Sequence, residues 1–230
     1  MTSDPQETCW TVLRAASRGD ATAQSTFVRV YQPPVRDYLA HRWRQGALAE
    51  DVDDALQDVL VECIKPNGVL GGADPARGPF RGLLYGVARN VARRYEERAA
   101  QRGRRRPQES VHPDDLPAQE ETLSRVFDRA WASSLLREAI LQHASTARRG
   151  DRGARRRLRI LRLRHQRGLA IREIAASLEE VDVDAVHNEY RRARRELAAV
   201  LREVVATRTG TPRNHVDAEC RRLIDLLGSN

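Results

Sequence analysis

The sequence predicts an all-α protein of two small helical modules joined by a flexible linker, the second module carrying a helix-turn-helix. Three observations predict this fold class. Apolar residues recur at helical steps of three and four along most of the 230 residues, and no strand-like alternation is evident. Aromatic residues make up only 5% of the chain, which suits small helical modules better than a β-sandwich. A polar segment with three prolines, residues 101–121, interrupts the helical pattern and predicts an exposed linker.

Charge divides the chain in the same way. Residues 1–99 carry 13 basic and 13 acidic side chains, whereas residues 124–205 carry 19 basic and 11 acidic ones, a net charge of +8 that equals the formal charge of the whole chain. A neutral front and a basic back indicate two modules with different partners, and the basic one is expected to meet a polyanion. We therefore divide the chain into a first module (1–100), a linker (101–121), a second module (122–206) and a C-terminal tail (207–230).

The first module is predicted to contain helices near residues 6–18 and 21–45, then a strongly amphipathic helix from Asp51 to Ile64. The glycines and prolines of residues 66–79 indicate a loop, and a further helix follows from Phe80 to about Ala100. The amphipathic helix has an apolar face of Val52, Leu56, Val59, Leu60 and Cys63. Its acidic face consists of Asp51, Asp54, Asp58 and Glu62.

The second module is predicted to be helical from Thr122 to about Ala206, with breaks near residues 149–153 and at Gly168. Residues 165–201 indicate two helices joined by a tight turn, the second capped by Asp182 or Asp184. Such a pair can bury one face and present the other to DNA, but periodicity alone fits a basic helical hairpin with a solvated face equally well. The apolar stripe of the second helix is Val186, Tyr190, Ala193, Leu197, Leu201 and Val204. The polar side chains around it are His187, Asn188, Arg191, Arg192, Arg194 and Arg195.

Two further segments carry weaker expectations. Residues 148–164 are the densest basic run of the chain, for which we favour nonspecific attraction to phosphates over a partner surface or a solvated helix. Pro212 and Asn214 are expected to start a short final helix, and we hypothesise that residues 214–227 dock on one of the modules and modulate its activity. The apolar stripe of that helix is Val216, Cys220, Leu223, Ile224 and Leu227.

Composition also excludes several classes of protein. Three widely spaced cysteines, Cys9, Cys63 and Cys220, indicate neither a disulfide framework nor a metal site. The first residues lack a signal-peptide pattern, and no apolar run approaches a membrane span, so we expect a soluble, cytoplasmic protein that does not contact membranes. No phosphate-binding glycine loop, zinc-ligand cluster or nucleophile arrangement is evident. We therefore expect no enzymatic activity and no cofactor.

Three segments, in this order, resemble bacterial RNA polymerase sigma factors of the extracytoplasmic-function (ECF) group. Residues 51–62 (DVDDALQDVLVE) are similar to the acidic helix of that family, and residues 80–98 (FRGLLYGVARNVARRYEER) to its F-R-x-W-L-Y-x-I-A-x-N helix. Residues 168–197 match the family's G-L-S-x-x-E-I-A-x-x-L…T-V-x-x-R-x-x-R-A-x-x-x-L pattern. Residues 127–136, FDRAWASSLL, resemble a branch whose second module begins with a Phe-x-x-x-Trp pair.

The resemblance implies a partner for each segment. The acidic helix would bind the β′ subunit of core RNA polymerase, with the β subunit as a further contact, through Asp51, Asp53, Asp54, Gln57 and Asp58. The second helix would recognise the −10 element of promoter DNA, with a flipped base entering a pocket of the 66–79 loop, through Arg81, Tyr85, Arg89, Asn90 and Arg93. The third segment would read the −35 element, with His187, Asn188 and Arg191 at base edges and Arg192, Arg194 and Arg195 at phosphates. An anti-sigma factor or another regulator is a further candidate partner.

The chain departs from the family pattern at several positions. Leu83 replaces a tryptophan, Arg94 an aspartate and Glu189 an arginine, and the turn between the paired helices has Glu179 and Glu180 where a glycine is expected. Negative charge beside a phosphate-facing surface predicts an unusual −35 sequence or a weak contact there, with more reliance on the −10 element.

Two other classes of function stay open. One is a dimeric helix-turn-helix regulator that does not replace a sigma subunit. The other is a magnesium-dependent enzyme of the prenyl-synthase type, because Asp53, Asp54 and Asp58 form a D-D-x-x-x-D pattern. Such enzymes need a second aspartate-rich helix, whereas Asp114 and Asp115 lie beside prolines. The sequence predicts a core position and a DNA contact equally well for Tyr85. For Phe80 and Leu84 it favours a position in the core.

Overall fold

The computed structural model describes residues 5–44, 46–103 and 116–228, and within these ranges the chain forms nine α-helices and no β-strand. The predicted all-α class is therefore confirmed. Asp114, Asp115 and most of the predicted linker lie outside the described residues. The ends of the linker segment belong to helices, because α4 extends to Gly103 and α5 begins at Leu116. The helices are α1 Pro5–Ser17, α2 Ala21–Arg42, α3 Val52–Ile64, α4 Phe80–Gly103, α5 Leu116–Arg149, α6 Arg152–Gln166, α7 Ile171–Ser177, α8 Val183–Thr209 and α9 Val216–Gly228. None of them combines the length and apolar character that crossing a membrane requires.

Local sequence explains the first helix boundary. Helix α1 ends with Gly19 in the left-handed region at φ +89°, where the N–H groups of Gly19 and Asp20 bond back to the carbonyls of Ala16 and Ala15. The Asp20 carboxylate then accepts a hydrogen bond of 2.7 Å from the N–H of Ala23 and caps α2. The predicted break between the first two helices is thus built from one glycine and one aspartate.

The chain divides into two compact units. Unit 1 comprises residues 1–134 and 205–230, and unit 2 comprises residues 135–204. Helices α5 and α8 each contribute residues to both units. Phe127 and Trp131, which the sequence places at the start of the second module, belong by their contacts to unit 1.

The core of unit 1 is aromatic. The Phe80 ring lies edge-on to Tyr31 at 5.0 Å between ring centroids, and the Tyr31 ring stacks on Trp131 at 5.5 Å. The Phe127 ring contacts Tyr38 at 5.8 Å. Phe80 and Phe127 are essentially inaccessible to solvent, so α2, α4 and the first half of α5 share one core.

A buried ion pair joins α2 to α4 within this unit. The Arg42 guanidinium donates to both carboxylate oxygens of Glu96, at 2.6 and 2.8 Å, and the Trp43 indole donates to the same carboxylate at 2.9 Å. The Arg42 side chain is only 7% exposed, and it also donates to the Tyr38 hydroxyl at 3.0 Å. Burial raises the pKa of Glu96, but the hydrogen bonds from Arg42 and Trp43 outweigh it, so the pKa of this carboxyl lies below its ordinary value.

Unit 2 has a small aliphatic core. Ile160 of α6, Ile174 and Ala175 of α7 and Val186 of α8 are buried against one another. Half-buried apolar side chains surround this cluster, among them Tyr190 on the predicted stripe of α8. The apolar spacing therefore correctly predicts that one side of α8 is buried.

Helix α9 forms where the final helix is predicted and belongs to unit 1. Val216, Cys220 and Leu223 are buried, as the predicted stripe requires, but Ile224 is 54% exposed. The prediction for Ile224 is wrong because the buried side of α9 is narrow, and a residue one step beyond Leu223 is rotated by about 100° around the helix axis. Arg129 of α5 donates to the Leu226 carbonyl at 3.2 Å and joins the end of α9 to α5.

Candidate functional site

The acidic surface of α3, defined as Asp51, Asp53, Asp54, Gln57 and Asp58, lies opposite a buried apolar side. All five predicted apolar residues of this helix are buried. Asp53, Asp54 and Gln57 are exposed, whereas Asp51 and Asp58 are half-buried. Helical spacing thus separates the two faces and leaves the carboxylates accessible from outside.

Two members of the acidic surface are engaged within unit 1. Arg36 of α2 donates to Asp53 at 3.0 Å in an exposed ion pair, and the Tyr95 hydroxyl of α4 donates to Asp58 at 3.1 Å. Burial and the Asp58 hydrogen bond raise the pKa of Tyr95. Among the residues that the structure describes, no three His, Cys, Asp or Glu side chains come together as ligands for one metal ion.

The five candidate residues of α4 differ in their surroundings. Arg81 forms an ion pair with Asp128 of α5, and the Tyr85 ring contacts Tyr38 and Phe127 at 5.6 and 5.3 Å. Asn90 and Arg93 are exposed and Arg89 is half-buried. Tyr85 is thus a boundary aromatic whose ring packs inward, and Phe80 and Leu84 are core residues as favoured.

Two of the departures from the family pattern occur on α4. Arg94 lies 3.3 Å from Glu62 of α3, whose other oxygen is 2.7 Å from Lys65. The Lys65 hydrogen bond is the main cause that lowers the pKa of Glu62. Arg94 therefore ties α4 to α3. Leu83, where the pattern that the sequence resembles has a tryptophan, is 37% exposed.

The loop between α3 and α4 is anchored at one point. It contains two short 3-10 turns, Val69–Gly72 and Pro75–Arg77. Among the loop side chains whose burial the structure describes, only that of Leu70 is fully buried. The Asp74 carboxylate accepts a 2.9 Å hydrogen bond from the N–H of Ala76. Most of the other loop side chains that the structure describes are exposed.

The joint between α7 and α8 has the geometry of a glycine turn without the glycine. Glu179 adopts φ +55°, and the N–H groups of Glu179 and Glu180 bond to the carbonyls of Ala176 and Ala175. This is the same bonding pattern that Gly19 makes after α1. A glutamate in the left-handed region costs about 1–2 kcal/mol relative to the right-handed one. The Asp182 carboxylate then accepts from the N–H groups of Asp184 and Ala185 at 2.9 and 3.1 Å, so the predicted cap is Asp182.

The polar side chains of α8 fall on different sides of the helix. His187, Asn188, Arg191 and Arg195 are exposed. Two other arginines are exposed but engaged on their own helix. Arg192 lies 3.5 Å from Glu196, and the Arg194 guanidinium lies 5.8 Å from the centre of the Tyr190 ring. The exposed face opposite the Val186 stripe is formed by Asn188, Arg191 and Arg195.

Two of the three glutamates that depart from the pattern, Glu180 and Glu189, face α6. Arg156 of α6 donates to Glu180 at 2.7 Å and lies 3.4 Å from Glu189. Arg157, which is buried, lies 2.9 Å from Glu196. The Arg156 hydrogen bond lowers the pKa of Glu180, so this carboxylate stays ionised beside its partner. The charges of Glu180 and Glu189 are therefore offset inside unit 2.

Sequence reasoning missed Arg156 and Arg157 as structural residues. They belong to the basic run 148–164, for which the sequence predicts nonspecific attraction to phosphates, and for these two side chains the structure shows internal ion pairs instead. A signal was present for Arg157, because Ala154, Leu158 and Leu161 place it on the apolar side of α6.

In comparisons with known proteins, no family model and no curated protein sequence matches this chain.

Proposed function

We propose that this chain is an ECF-type sigma factor that binds core RNA polymerase, recognises −10 and −35 promoter elements and helps to open the promoter. In this proposal α7 and α8 form a DNA-binding helix-turn-helix, and the segment around residues 101–121 links two promoter-reading modules. The three sequence segments that resemble the family, in the family's order, support it. Each of them falls on a helix or helix pair with an exposed polar face.

The observation that carries the proposal is the sorting of charge on α8. The two glutamates that would oppose DNA, Glu189 and Glu196, are held by arginines of α6. The outward face keeps Asn188, Arg191 and Arg195, an amide that can pair with adenine and guanidinium groups that suit guanine or phosphate. A helix with this arrangement is suited to the major groove.

The acidic surface of α3 supports the polymerase half of the proposal. Exposed carboxylates over two or three helical turns attract a basic partner and orient it during docking. The arginine-bearing coiled coil of the β′ subunit is such a partner. Asp54 is the best single probe, because it is exposed and its neighbours Asp53 and Asp58 already contact Arg36 and Tyr95.

The surroundings of α4 refine the −10 assignment. Because Arg81 and Tyr85 are engaged with α5 and α2, we assign them to holding α4 in place. Asn90 and Arg93 are exposed and are the residues that we expect to contact an unpaired strand, where bases stack and phosphates meet cations. Opening the duplex costs a few kcal/mol per base, which these contacts would offset.

Transcription in vitro with purified core polymerase tests the proposal. We expect promoter-dependent transcripts, and permanganate-reactive thymines near −10, only when this protein is added. DNA binding without transcription at any promoter recovered from genome-wide selection would reject the sigma role and favour the dimeric regulator.

Two variants and one control variant separate the surfaces. Asp54→Lys should weaken core binding at least tenfold, whereas Glu97→Lys, the same charge reversal at an exposed position of α4, should not. Asn188→Ala should relax specificity at one −35 position at a cost of about 1–3 kcal/mol, without changing core binding. Equal behaviour of the two lysine variants would contradict the assignment of the acidic surface.

A further inference from the structure

Helix α6 carries more arginine than its internal contacts use. It contains seven arginines and no acidic residue. Arg156 and Arg157 bind glutamates of unit 2, and Arg164 donates to the Leu169 carbonyl at 3.0 Å and closes the turn before α7. Four arginines of the helix are left for another role.

Those four arginines form one stripe on the outside of α6. The α6 stripe is defined as Arg152, Arg155, Arg159 and Arg162. Their steps of three, four and three place them on one face, and all four are exposed. The buried residues Ile160 and Leu161 lie on the other side of the helix, and the buried residue Leu158 lies at the edge of the stripe. At 1.5 Å per residue the stripe extends about 15 Å along the helix axis.

The charges of the stripe have no counterpart in the described part of unit 2. Every ion pair of α6 there involves Arg156 or Arg157. Neighbouring like charges three or four residues apart on a helix repel one another and disfavour the helix by a few tenths of a kcal/mol per pair. A polyanion that lies along the stripe would remove this repulsion.

We propose that the α6 stripe binds the phosphate backbone of duplex DNA, as a contact separate from the base-reading face of α8. Guanidinium groups bind phosphate oxygens in a bidentate way, and duplex DNA presents one negative charge per about 1.7 Å of its axis. DNA binding by the stripe does not require a promoter sequence, since phosphate contacts carry no sequence information. The proposal therefore does not depend on the sigma role.

The character of the stripe favours DNA over other polyanions. No exposed apolar side chain lies among its four arginines, whereas a membrane-surface helix needs an apolar face to enter the lipid. Protein interfaces likewise depend on buried aromatic or aliphatic anchors, which the stripe lacks. A uniform row of guanidinium groups matches a uniform row of phosphates.

The test measures binding of the full chain to a duplex of about 30 base pairs of mixed sequence, between about 50 and 200 mM salt. The variant replaces the four stripe arginines by glutamine. In the matched control, four exposed arginines of unit 1 are replaced in the same way, so that the two variants lose the same amount of positive charge. The control positions are Arg14, Arg18, Arg29 and Arg44.

Each lost phosphate contact lowers the slope of log K against log salt by about 0.9. We expect the stripe variant to lose at least two units of slope and the control to keep the wild-type value. Replacement of the stripe by four lysines should restore most of the slope, because lysine also neutralises phosphate. Circular dichroism confirms that each variant is folded.

An unchanged slope in the folded stripe variant would overturn the proposal. The proposal would also be overturned if the stripe arginines contributed more to binding of anionic phosphatidylglycerol vesicles or polyglutamate than to binding of duplex DNA. The sigma role is judged separately by transcription with core polymerase, which the mixed-sequence duplex assay does not use.

Discussion

The ion pair between Arg42 and Glu96 gives a sharp stability prediction for unit 1. Glu96→Ala removes the acceptor of two guanidinium hydrogen bonds and of the Trp43 indole bond. The Arg42 side chain is only 7% exposed, so Glu96→Ala leaves a buried guanidinium without its carboxylate partner, while the contact with the Tyr38 hydroxyl is kept.

The magnitude follows from burial. Breaking a fully buried ion pair by removing one partner costs about 3–5 kcal/mol. Because the Glu96 side chain is 35% exposed, water can replace part of the lost contact, and we expect a loss of about 2–3 kcal/mol for Glu96→Ala. Glu96→Gln keeps one oxygen that can accept hydrogen bonds, so about 1–2 kcal/mol is expected.

The pH dependence has a defined sign. The pKa of Glu96 is lower in the folded chain than its ordinary value, so ionisation of Glu96 stabilises the fold at a pH above about 4.3. That stabilisation disappears as the pH falls through the folded pKa. The difference between wild type and Glu96→Gln should therefore be largest near neutral pH and shrink in acid.

Urea unfolding followed by tryptophan fluorescence measures this effect, because Trp10, Trp43 and Trp131 all lie in unit 1. Arg36→Gln breaks the exposed Arg36–Asp53 pair and serves as the control, with an expected loss of about 0.5 kcal/mol or less. A Glu96→Ala midpoint equal to that of Arg36→Gln, at the same urea slope, would refute the reasoning.

Three further predictions concern other elements. Glu179→Gly should raise the thermal stability of unit 2 by about 0.5–1 kcal/mol by circular dichroism, since glycine removes the strain of φ +55°; a lower melting temperature would contradict that strain. Backbone hydrogen bonding lowers the pKa of Asp151 at the α6 cap, so Asp151→Ala should lower the melting temperature at a pH above about 3.9. The difference from wild type should fade as the pH falls through the folded pKa. A pH-independent difference would show that the charge of Asp151 does not contribute to the cap. Burial raises the pKa of Cys63 to about 12, so in a Cys9→Ser, Cys220→Ser background a thiol reagent at pH 8 should label it only in denaturant; rapid labelling of the native protein would show that the site is open.

Periodicity and turn chemistry predict the helices well. The α3 faces and the break at Gly19 and Asp20 depend on neighbours within a few residues, and both are found where the sequence places them. The cap of α8 is Asp182, one of the two residues that the sequence offers. Local chemistry also explains why the joint before α8 needs a left-handed residue. It gives no reason why Glu179 occupies that position.

The contacts that the sequence did not predict are long-range. Which arginine of a basic run turns inward depends on the carboxylates of other helices, as with Arg156 and Glu189. The pairing of Arg81 with Asp128 likewise joins residues of α4 and α5, and the spacing within α4 contains no information about it. The exposure of Ile224 depends on how wide a surface α9 meets, which the stripe alone does not specify.

The two-part composition of unit 1 has a consequence for biosynthesis. Residues 205–228 complete a unit whose other members end at residue 134, so unit 2 is in effect an insertion in the chain of unit 1. Unit 2 is continuous and can begin to fold on the ribosome as soon as its own helices have emerged. Unit 1 cannot complete its fold until α9 has emerged. Bringing α9 back to the rest of unit 1 closes a loop of roughly 70 residues, which costs about 4 kcal/mol of chain entropy. A nascent chain that has emerged from the ribosome as far as residue 204 would therefore display a folded insertion and an unfinished host.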